Sequence, residues 1–309
     1  MRLLLTITVL LVPSCFGVQI DPLLVKFVPA DSSSLLGARM SQLRMTPIYQ
    51  KMVAQQKLPQ LEQFARETGF DPRTDVDELL LGSAEDPAST LVAARGKFHL
   101  HNLTKAVATP YRGYTIYSQE DNGFVPIDAN TTIAGRIPRL KLAIDQYKAG
   151  GVAASKALLD RARAIPDNFQ VWAVSEGGLN LVARQLPQAG NGINFAKIFQ
   201  NVEQTSFEAD LRNGVKAVIT GSCKTPEDAK NLSDGARGLV GFGRLSVPDA
   251  QPELLKLWDG IEVKQDDRRI TLNADIPQDL IDRVVAMFSN GGPEFHHGPT
   301  PPRRKYPMN

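Results

Sequence analysis

The pattern of apolar and polar positions predicts short strands mixed with amphipathic helices along the chain. Residues 33–40 and 169–175 are predicted strands, and each follows a turn that contains proline and aspartate. Residues 90–100 alternate with a period of two, which places Val92 on one face and Arg95 on the other. Strands and helices follow one another without a strict βαβ rhythm. The sequence therefore predicts an α+β fold with largely antiparallel sheets.

Helix signals add to this pattern in both halves. Residues 59–67 form an amphipathic stretch, and residues 75–78 are predicted to open a short helix with Asp75 as its cap. In the second half, Thr225 precedes Pro226, which is typical of a helix start. These segments predict helices that pack against the strands.

Each half is predicted to close with a β-hairpin and a helix. The first hairpin covers residues 114–137 and turns at Asn122-Gly123, before a helix around residues 140–147. The second pairs residues 261–265 with 268–274 across Asp266-Asp267, and Pro277 then starts the last helix.

Similar segments recur in the same order, which predicts an internal duplication. Residues 23–31 resemble residues 158–167, and Tyr111 with its following glycine-containing turn resembles Trp258 with its own. Such ordered matches predict two tandem, similar α+β repeats. We assign residues 18–151 to the first repeat and residues 152–290 to the second.

The N-terminus has the features of an export signal. Arg2 precedes an apolar run from Leu3 to Val12, which is too short to span a bilayer. Residues 1–17 are therefore predicted to be a signal peptide. The residues before Cys15 resemble a lipobox, which implies lipidation of Cys15 and attachment to the membrane. The alternative is ordinary cleavage after Ser14 or Gly17 and release of the protein.

Composition narrows the range of partners. The formal net charge is +2 from 35 basic and 33 acidic residues, which gives no long-range attraction to nucleic acid. Residues 291–309 are rich in proline, glycine and basic residues, so we predict a disordered tail. The expected partner is an envelope protein or polymer.

Metal and cofactor sites are not predicted. His99 and His101 share a strand face with basic residues that would repel a cation, and His296-His297 lies in the predicted tail. The acidic residues between Asp71 and Glu78 lack the spacing and the glycine of a calcium-binding loop. Helix capping accounts for them better.

Few residues remain as candidates for chemistry or binding. Cys223 aligns with an apolar strand position and is interpreted as a small core side chain, not a nucleophile. The glycines from Gly238 to Gly243 are expected to allow close packing at a helix end. Tyr111, Tyr114 and Trp258 are the only candidate ligand-binding residues, for a carbohydrate or a peptide. The match between Tyr111 and Trp258 favours a repeated structural anchor instead.

A set of ordered motifs carries a family resemblance. Thr68-Gly69-Phe70-Asp71-Pro72 leads to Asp75-Val76-Asp77-Glu78-Leu79, and these are followed by Ala94-Arg95-Gly96-Lys97-Phe98 and by Tyr111-Arg112-Gly113-Tyr114. In these motifs the chain resembles a group of uncharacterised exported bacterial proteins built from duplicated α+β modules. The resemblance covers most of residues 23–290. It implies an envelope location and supplies no catalytic residue.

Together these observations predict a non-enzymatic exported envelope protein with a binding or scaffolding role. Two alternatives stay open. One is a hydrolase whose carboxylates converge only in the folded chain, which a deep pocket of acidic residues and histidines would favour. The other is a carrier of an apolar ligand held between sheet and helices.

Overall fold

The computed structural model describes residues 17–55, 62–63, 65–66, 69–98, 103, 106–150, 154–178, 201–247 and 251–289. These residues form twelve strands: β1 (Ser34–Ala38), β2 (Val76–Ser83), β3 (Leu91–Gly96), β4 (Val107–Tyr111), β5 (Tyr114–Gln119), β6 (Asn122–Asp128), β7 (Thr131–Arg136), β8 (Val171–Glu176), β9 (Val202–Asp210), β10 (Val215–Cys223), β11 (Ile261–Asp266) and β12 (Arg269–Ile276). Their helices are α1 (Pro22–Phe27), α2 (Met40–Leu43), α3 (Pro47–Gln55), α4 (Pro72–Asp75), α5 (Ile137–Lys148), α6 (Lys156–Arg163), α7 (Pro226–Leu245), α8 (Leu255–Asp259) and α9 (Gln278–Ser289).

The twelve strands form one antiparallel sheet, in the order β11-β12-β10-β9-β8-β1-β2-β3-β7-β6-β5-β4. Strands from both halves meet at its centre, where β1 pairs with β8. The mixture of helices with an antiparallel sheet confirms the predicted α+β class. The predicted boundary at residue 151 falls between α5 and α6.

The strand order is the same on the two sides of the β1–β8 junction. Reading outward, one side has β1, β2, β3, β7 and β6, and the other has β8, β9, β10, β12 and β11. Beyond β6, the first side continues with β5 and β4, which have no counterpart among the described strands of the other side. At the junction Leu36 pairs with Ala173, which lies 137 residues later, as Pro166 lies after Pro29. This correspondence supports a duplication, which stays a prediction.

The largest core lies on one face of the sheet, under α1, α5 and α6. Leu35, Leu80 and Trp172 point to this face and are almost fully buried. They pack with helix residues such as Phe27 and Leu140, which have no exposed surface. Burial of this much apolar area is the main source of stability for the first half of the sheet.

On the opposite face, one row of cross-strand neighbours passes through all twelve strands, and every member is apolar or aromatic. We call it the apolar row. Leu36, at its centre, keeps 37% of its surface exposed, whereas α7 packs over the β11–β12 end. From β4 to β11 the row is Ala108, Tyr117, Phe124, Ala134, Val92, Leu81, Leu36, Ala173, Phe207, Ile219, Leu272 and Val263.

The helix predicted at residues 75–78 is wrong. Asp71 caps α4 instead, because its side chain accepts a hydrogen bond from the Arg73 amide at 2.9 Å and Pro72 occupies the first turn. Val76 begins β2, which pairs with β1 and β3 on its two sides. Tertiary pairing here prevails over the local capping pattern.

The turn predicted at Asn122-Gly123 is also displaced. Asn122 pairs with Gln119, so the turn residues are Glu120 and Asp121, and Glu120 adopts a φ of 53°. This register makes Tyr117 and Phe124 cross-strand partners, with their rings stacked at 5.5 Å. The aromatic contact outweighs the Asn-Gly turn preference.

The other predicted elements agree with the structure to within a few residues, whereas β9, α3 and α6 were not predicted. Thr225 caps α7 through a hydrogen bond of 3.1 Å from the Asp228 amide, and α9 begins directly after Pro277. The second hairpin turns at Asp267 and Arg268, one residue beyond the predicted turn. The described residues within 59–67 are helical.

Candidate functional site

Tyr111 and Tyr114 face each other across the β4–β5 hairpin and anchor it to α5. The Tyr111 hydroxyl donates a hydrogen bond of 2.8 Å to Oδ2 of Asp145. The ammonium groups of Lys141 and Lys148 lie 5.2 Å and 4.8 Å from the centroids of the Tyr111 and Tyr114 rings. Burial raises the pKa of the Tyr114 hydroxyl. Helix α5 therefore supplies partners to both rings.

Trp258 lies in a different environment, so the proposed match with Tyr111 is wrong. Tyr111 ends an edge strand, whereas Trp258 lies in α8 and packs against α7 at the opposite edge of the sheet. A Cβ atom added to Gly243 would lie 2.3 Å from the Trp258 ring. The glycine-rich end of α7 thus permits close packing, as expected. The three aromatic candidates do not form one site.

Cys223 is a buried core residue, which confirms the interpretation of its strand position. It packs with Val202, Ala229, Leu232 and Ile270 under α7. Burial raises the pKa of its thiol, which disfavours the reactive thiolate. The proposed lipidation site Cys15 lies outside the described residues, and so do the histidines that were weighed and not predicted as metal ligands, His99, His101 and His296-His297. No group of metal-ligating side chains occurs in the described ranges.

The fold brings together a set of charged side chains that the sequence analysis did not associate. They line an open cleft of about 370 Å³ beside the N-terminus of α1 and the adjoining ends of β2 and β3. We call it the Asp21–Glu78 cleft. Its lining residues are Asp21, Arg39, Ser41, Asp77, Glu78, Arg95, Gly96 and Asn130.

Asp21 holds one side of this cleft in place. Its Oδ1 accepts a hydrogen bond of 2.7 Å from the Leu23 amide, which caps α1. Its Oδ2 lies 3.0 Å from Nε of Arg95 on β3. Arg95 also donates to the Thr131 hydroxyl at 2.7 Å, which in turn donates to Asp128 at 3.1 Å. This chain of contacts joins α1 to β3 and β7.

Glu78 is a half-buried carboxyl group of the cleft. It is the cross-strand neighbour of Arg95 in the β2–β3 register, without an ion pair between the two side chains. Its Oε1 accepts a hydrogen bond of 3.2 Å from the Asp21 amide. Burial raises the pKa of Glu78, while the Asp21 amide, Arg39 and Arg95 act in the opposite direction. The ionised form is thus less favoured here than in water.

Two further charges complete the rim. Asp77 pairs with Nη2 of Arg44 at 2.7 Å. Arg39, which follows β1, donates from Nη1 to the carbonyl of Asp167 and contributes to the potential felt by Glu78. The cleft therefore holds carboxylates and guanidinium groups side by side.

Sequence patterns missed this site for a physical reason. The alternation of β3 predicted Arg95 on a solvated face, but Ala93 and Ala94 are both buried, so the strand is covered on both sides. Strand β3 also ends at Gly96, where a Cβ atom would lie 2.1 Å from the Asp75 carbonyl oxygen. The one signal in the sequence was Arg95 itself, a charged residue within a strand that is otherwise apolar.

The comparisons with known proteins bear on the fold. No protein-family model and no curated protein matches the chain. Among solved structures the chain is similar to crystal form III of TP0453, with a TM-score of 0.51 and 9% identity over 88% of this chain and 99% of that chain. Crystal form I of TP0453 gives a TM-score of 0.48 and 8% identity over 89% of this chain and 99% of that chain.

The similarity to crystal form III shows a shared fold across most of the chain. At 9% identity it transfers no site residue and no ligand. Within the residues that the structure describes, no helix is both long and apolar enough to cross a membrane.

Proposed function

We propose that the protein is a non-enzymatic exported envelope protein with a binding or scaffolding role, and that the Asp21–Glu78 cleft is its binding site. The proposal depends on one observation: two of the acidic side chains in the cleft are already engaged in structural contacts. Asp21 caps α1 and pairs with Arg95, and Asp77 pairs with Arg44. Carboxylate oxygens that are committed to such contacts are less available to accept a proton from a substrate or a water molecule.

The proposal of export and membrane attachment is supported by the N-terminal sequence. The short apolar run predicts translocation, and lipidation of Cys15 would hold the protein at a membrane surface. An envelope protein or polymer is the proposed partner. The described part of the chain presents the cleft as an open surface feature that such a partner can reach.

Site-specific crosslinking tests the binding role. A photo-crosslinking amino acid at Ser41, on the exposed rim of the cleft, is expected to capture a partner in intact cells. The same group at Lys216, exposed on β10, serves as the control. Equal capture at both positions would count against the cleft. Turnover of envelope-type substrates that one polar substitution abolishes would refute the non-enzymatic role.

A hydrolase is a second candidate, favoured by the convergence of Asp21, Asp77 and Glu78 in one cleft. Burial raises the pKa of Glu78, as expected of a general acid. In this case Glu78→Gln would abolish turnover while leaving the fold intact. Hydrolysis of ester, glycoside or peptide substrates by the purified protein, lost in that variant, would establish it.

A carrier of an apolar ligand is a third candidate, and the apolar row favours it. Its residues run across the whole sheet, and Leu36 stays exposed at the centre. A fluorescent fatty acid should then bind, and Leu36→Asp should weaken that binding by about tenfold. Leu142→Asp on α5, where the side chain is 44% exposed, is the matched control.

A further inference from the structure

Two opposite charges line the Asp21–Glu78 cleft without pairing with each other. Arg39 uses Nη1 on the Asp167 carbonyl, and Glu78 uses Oε1 on the Asp21 amide. Nε and Nη2 of Arg39, and Oε2 of Glu78, make no hydrogen bond within the described part of the chain. Neither residue forms an ion pair with another described residue.

The neighbouring charges behave differently. Asp21 pairs with Arg95 at 3.0 Å, and Asp77 pairs with a guanidinium nitrogen at 2.7 Å. Partly buried charges in folded proteins are normally paired in this way. The cleft therefore has one positive group and one negative group with hydrogen-bonding capacity left for a ligand.

We propose that the Asp21–Glu78 cleft binds a small zwitterion, a free amino acid or a short peptide, with its carboxylate on Arg39 and its ammonium on Glu78. This inference rests on the proposed binding function and names its ligand class. Guanidinium groups bind carboxylates through two parallel hydrogen bonds, and carboxylates accept well from ammonium groups. A cleft of about 370 Å³ has the volume of a small-ligand site.

Ligands with a single charge fit less well. An anion on Arg39 would lie near Glu78 and Asp77, and a cation on Glu78 would lie near Arg39 and Arg95. A zwitterion matches both groups and leaves the net charge of the cleft unchanged. The hydroxyl of Ser41 on the rim is available to a peptide group.

Isothermal titration calorimetry with three related probes tests the assignment. The probes are L-alanyl-L-alanine, its N-acetyl derivative and its C-terminal amide. Each blocked derivative is expected to bind at least about tenfold more weakly than the free dipeptide, because it lacks one of the two charges.

Two substitutions then assign each end of the probe. Glu78→Gln should weaken binding of the free dipeptide about tenfold and remove its advantage over the N-acetyl derivative. Arg39→Gln should remove the advantage over the amide, and Arg39→Lys should retain part of it because the charge stays. Glu208→Gln is the matched control, since Glu208 is a half-buried strand carboxyl whose pKa is also raised by burial.

The outcomes separate this inference from the proposed function. Absence of dipeptide binding by a protein with a normal thermal melt would overturn the zwitterion site but not a role with a larger partner. Equal affinity of the wild-type protein for all three probes would also overturn the zwitterion site. The same holds if the Glu78 and Arg39 variants keep the wild-type order of affinity for the three probes. Binding followed by release of free alanine would leave the site in place and refute the non-enzymatic function.

Discussion

Gly37 and Trp172 are cross-strand partners at the centre of the sheet, and the indole ring occupies the space that a side chain at Gly37 would need. A Cβ atom at Gly37 would lie 2.2 Å from Cε2 of Trp172. Trp172 is 2% exposed and belongs to the core under α1, α5 and α6. The junction between β1 and β8 thus depends on a glycine in one strand and a large ring in the other.

Gly37→Ala should therefore lower the free energy of unfolding by about 1–3 kcal/mol, because the methyl group overpacks a buried ring. Chemical denaturation followed by tryptophan fluorescence measures it. In a Trp172→Leu background the same substitution should cost much less. A wild-type midpoint for Gly37→Ala alone would show that the ring does not occupy this space.

Two glycines of α7 should respond to alanine in opposite ways. At Gly241 an added Cβ atom meets nothing within 4 Å, so Gly241→Ala should stabilise the protein by about 0.5–1 kcal/mol through helix propensity. At Gly243 the atom would meet Trp258 at 2.3 Å, so Gly243→Ala should destabilise it. Thermal melts of the two variants, which differ by two positions in one helix, provide the comparison. Melting shifts of the same sign would contradict the proposed contact.

The acid stability of the protein should depend on Asp210. Two hydrogen bonds from the Arg212 guanidinium, at 2.9 Å and 2.5 Å, lower the pKa of Asp210 to about 2. The folded pKa lies below the unfolded value of about 3.9, so this stabilisation is present above pH 4 and is lost as the pH falls toward 2.

Asp210→Asn should thus lower the free energy of unfolding at neutral pH by about 1 kcal/mol. The expected loss is small because the Arg212 side chain is 55% exposed and solvent weakens the ion pair. The difference from wild type should shrink between about pH 4 and pH 2. Urea denaturation across this range measures it. Asp266→Asn, at an exposed strand end, is the control. A difference that stays constant with pH would refute the assigned role of Asp210.

The packing near Gly17 bears on where the predicted signal peptide would be removed. Val18 is 4% exposed, its amide donates to the Ile165 carbonyl at 2.7 Å, and Gly17 bridges to Pro166. Cleavage after Gly17 would place a charged ammonium group at buried Val18, which is costly. We therefore expect cleavage after Ser14, which leaves Cys15 at the N-terminus.

Mass spectrometry of the native N-terminal peptide measures this outcome directly. A peptide that begins at Cys15 is expected, and added acyl mass would identify lipidation. Cys15→Ser provides the control, since it removes the acceptor thiol. A native N-terminus at Val18 would contradict the packing argument.

Periodicity predicted the strands and helices best where each element is bounded by its own turn chemistry. The last helix after Pro277 and the cap at Thr225 depend on residues a few positions apart, and both occur as expected. The first hairpin departs from its local turn signal because the Tyr117–Phe124 contact fixes its register. Helix α4 ends earlier than the capping pattern predicts because Val76 pairs in the sheet.

The Asp21–Glu78 cleft could not be predicted from local sequence patterns. Asp21 and Arg95 are far apart in sequence and meet only because α1 packs beside β3. The capping pattern predicts Glu78 at a helix start, yet it lies in β2 with its carboxyl group half-buried. Tertiary contacts of this kind leave no periodic trace, so no spacing rule would have found them.

Strands β1 and β8 pair with each other in the interior of the sheet, so neither half has a protected edge strand where the two halves meet. Dividing the chain near residue 151 would leave Leu35 and Trp172 beside open backbone amides and carbonyls. Each fragment would then expose an unpaired edge strand that can pair with another copy of the fragment. The protein is thus best regarded as indivisible, whatever the history of its two parts.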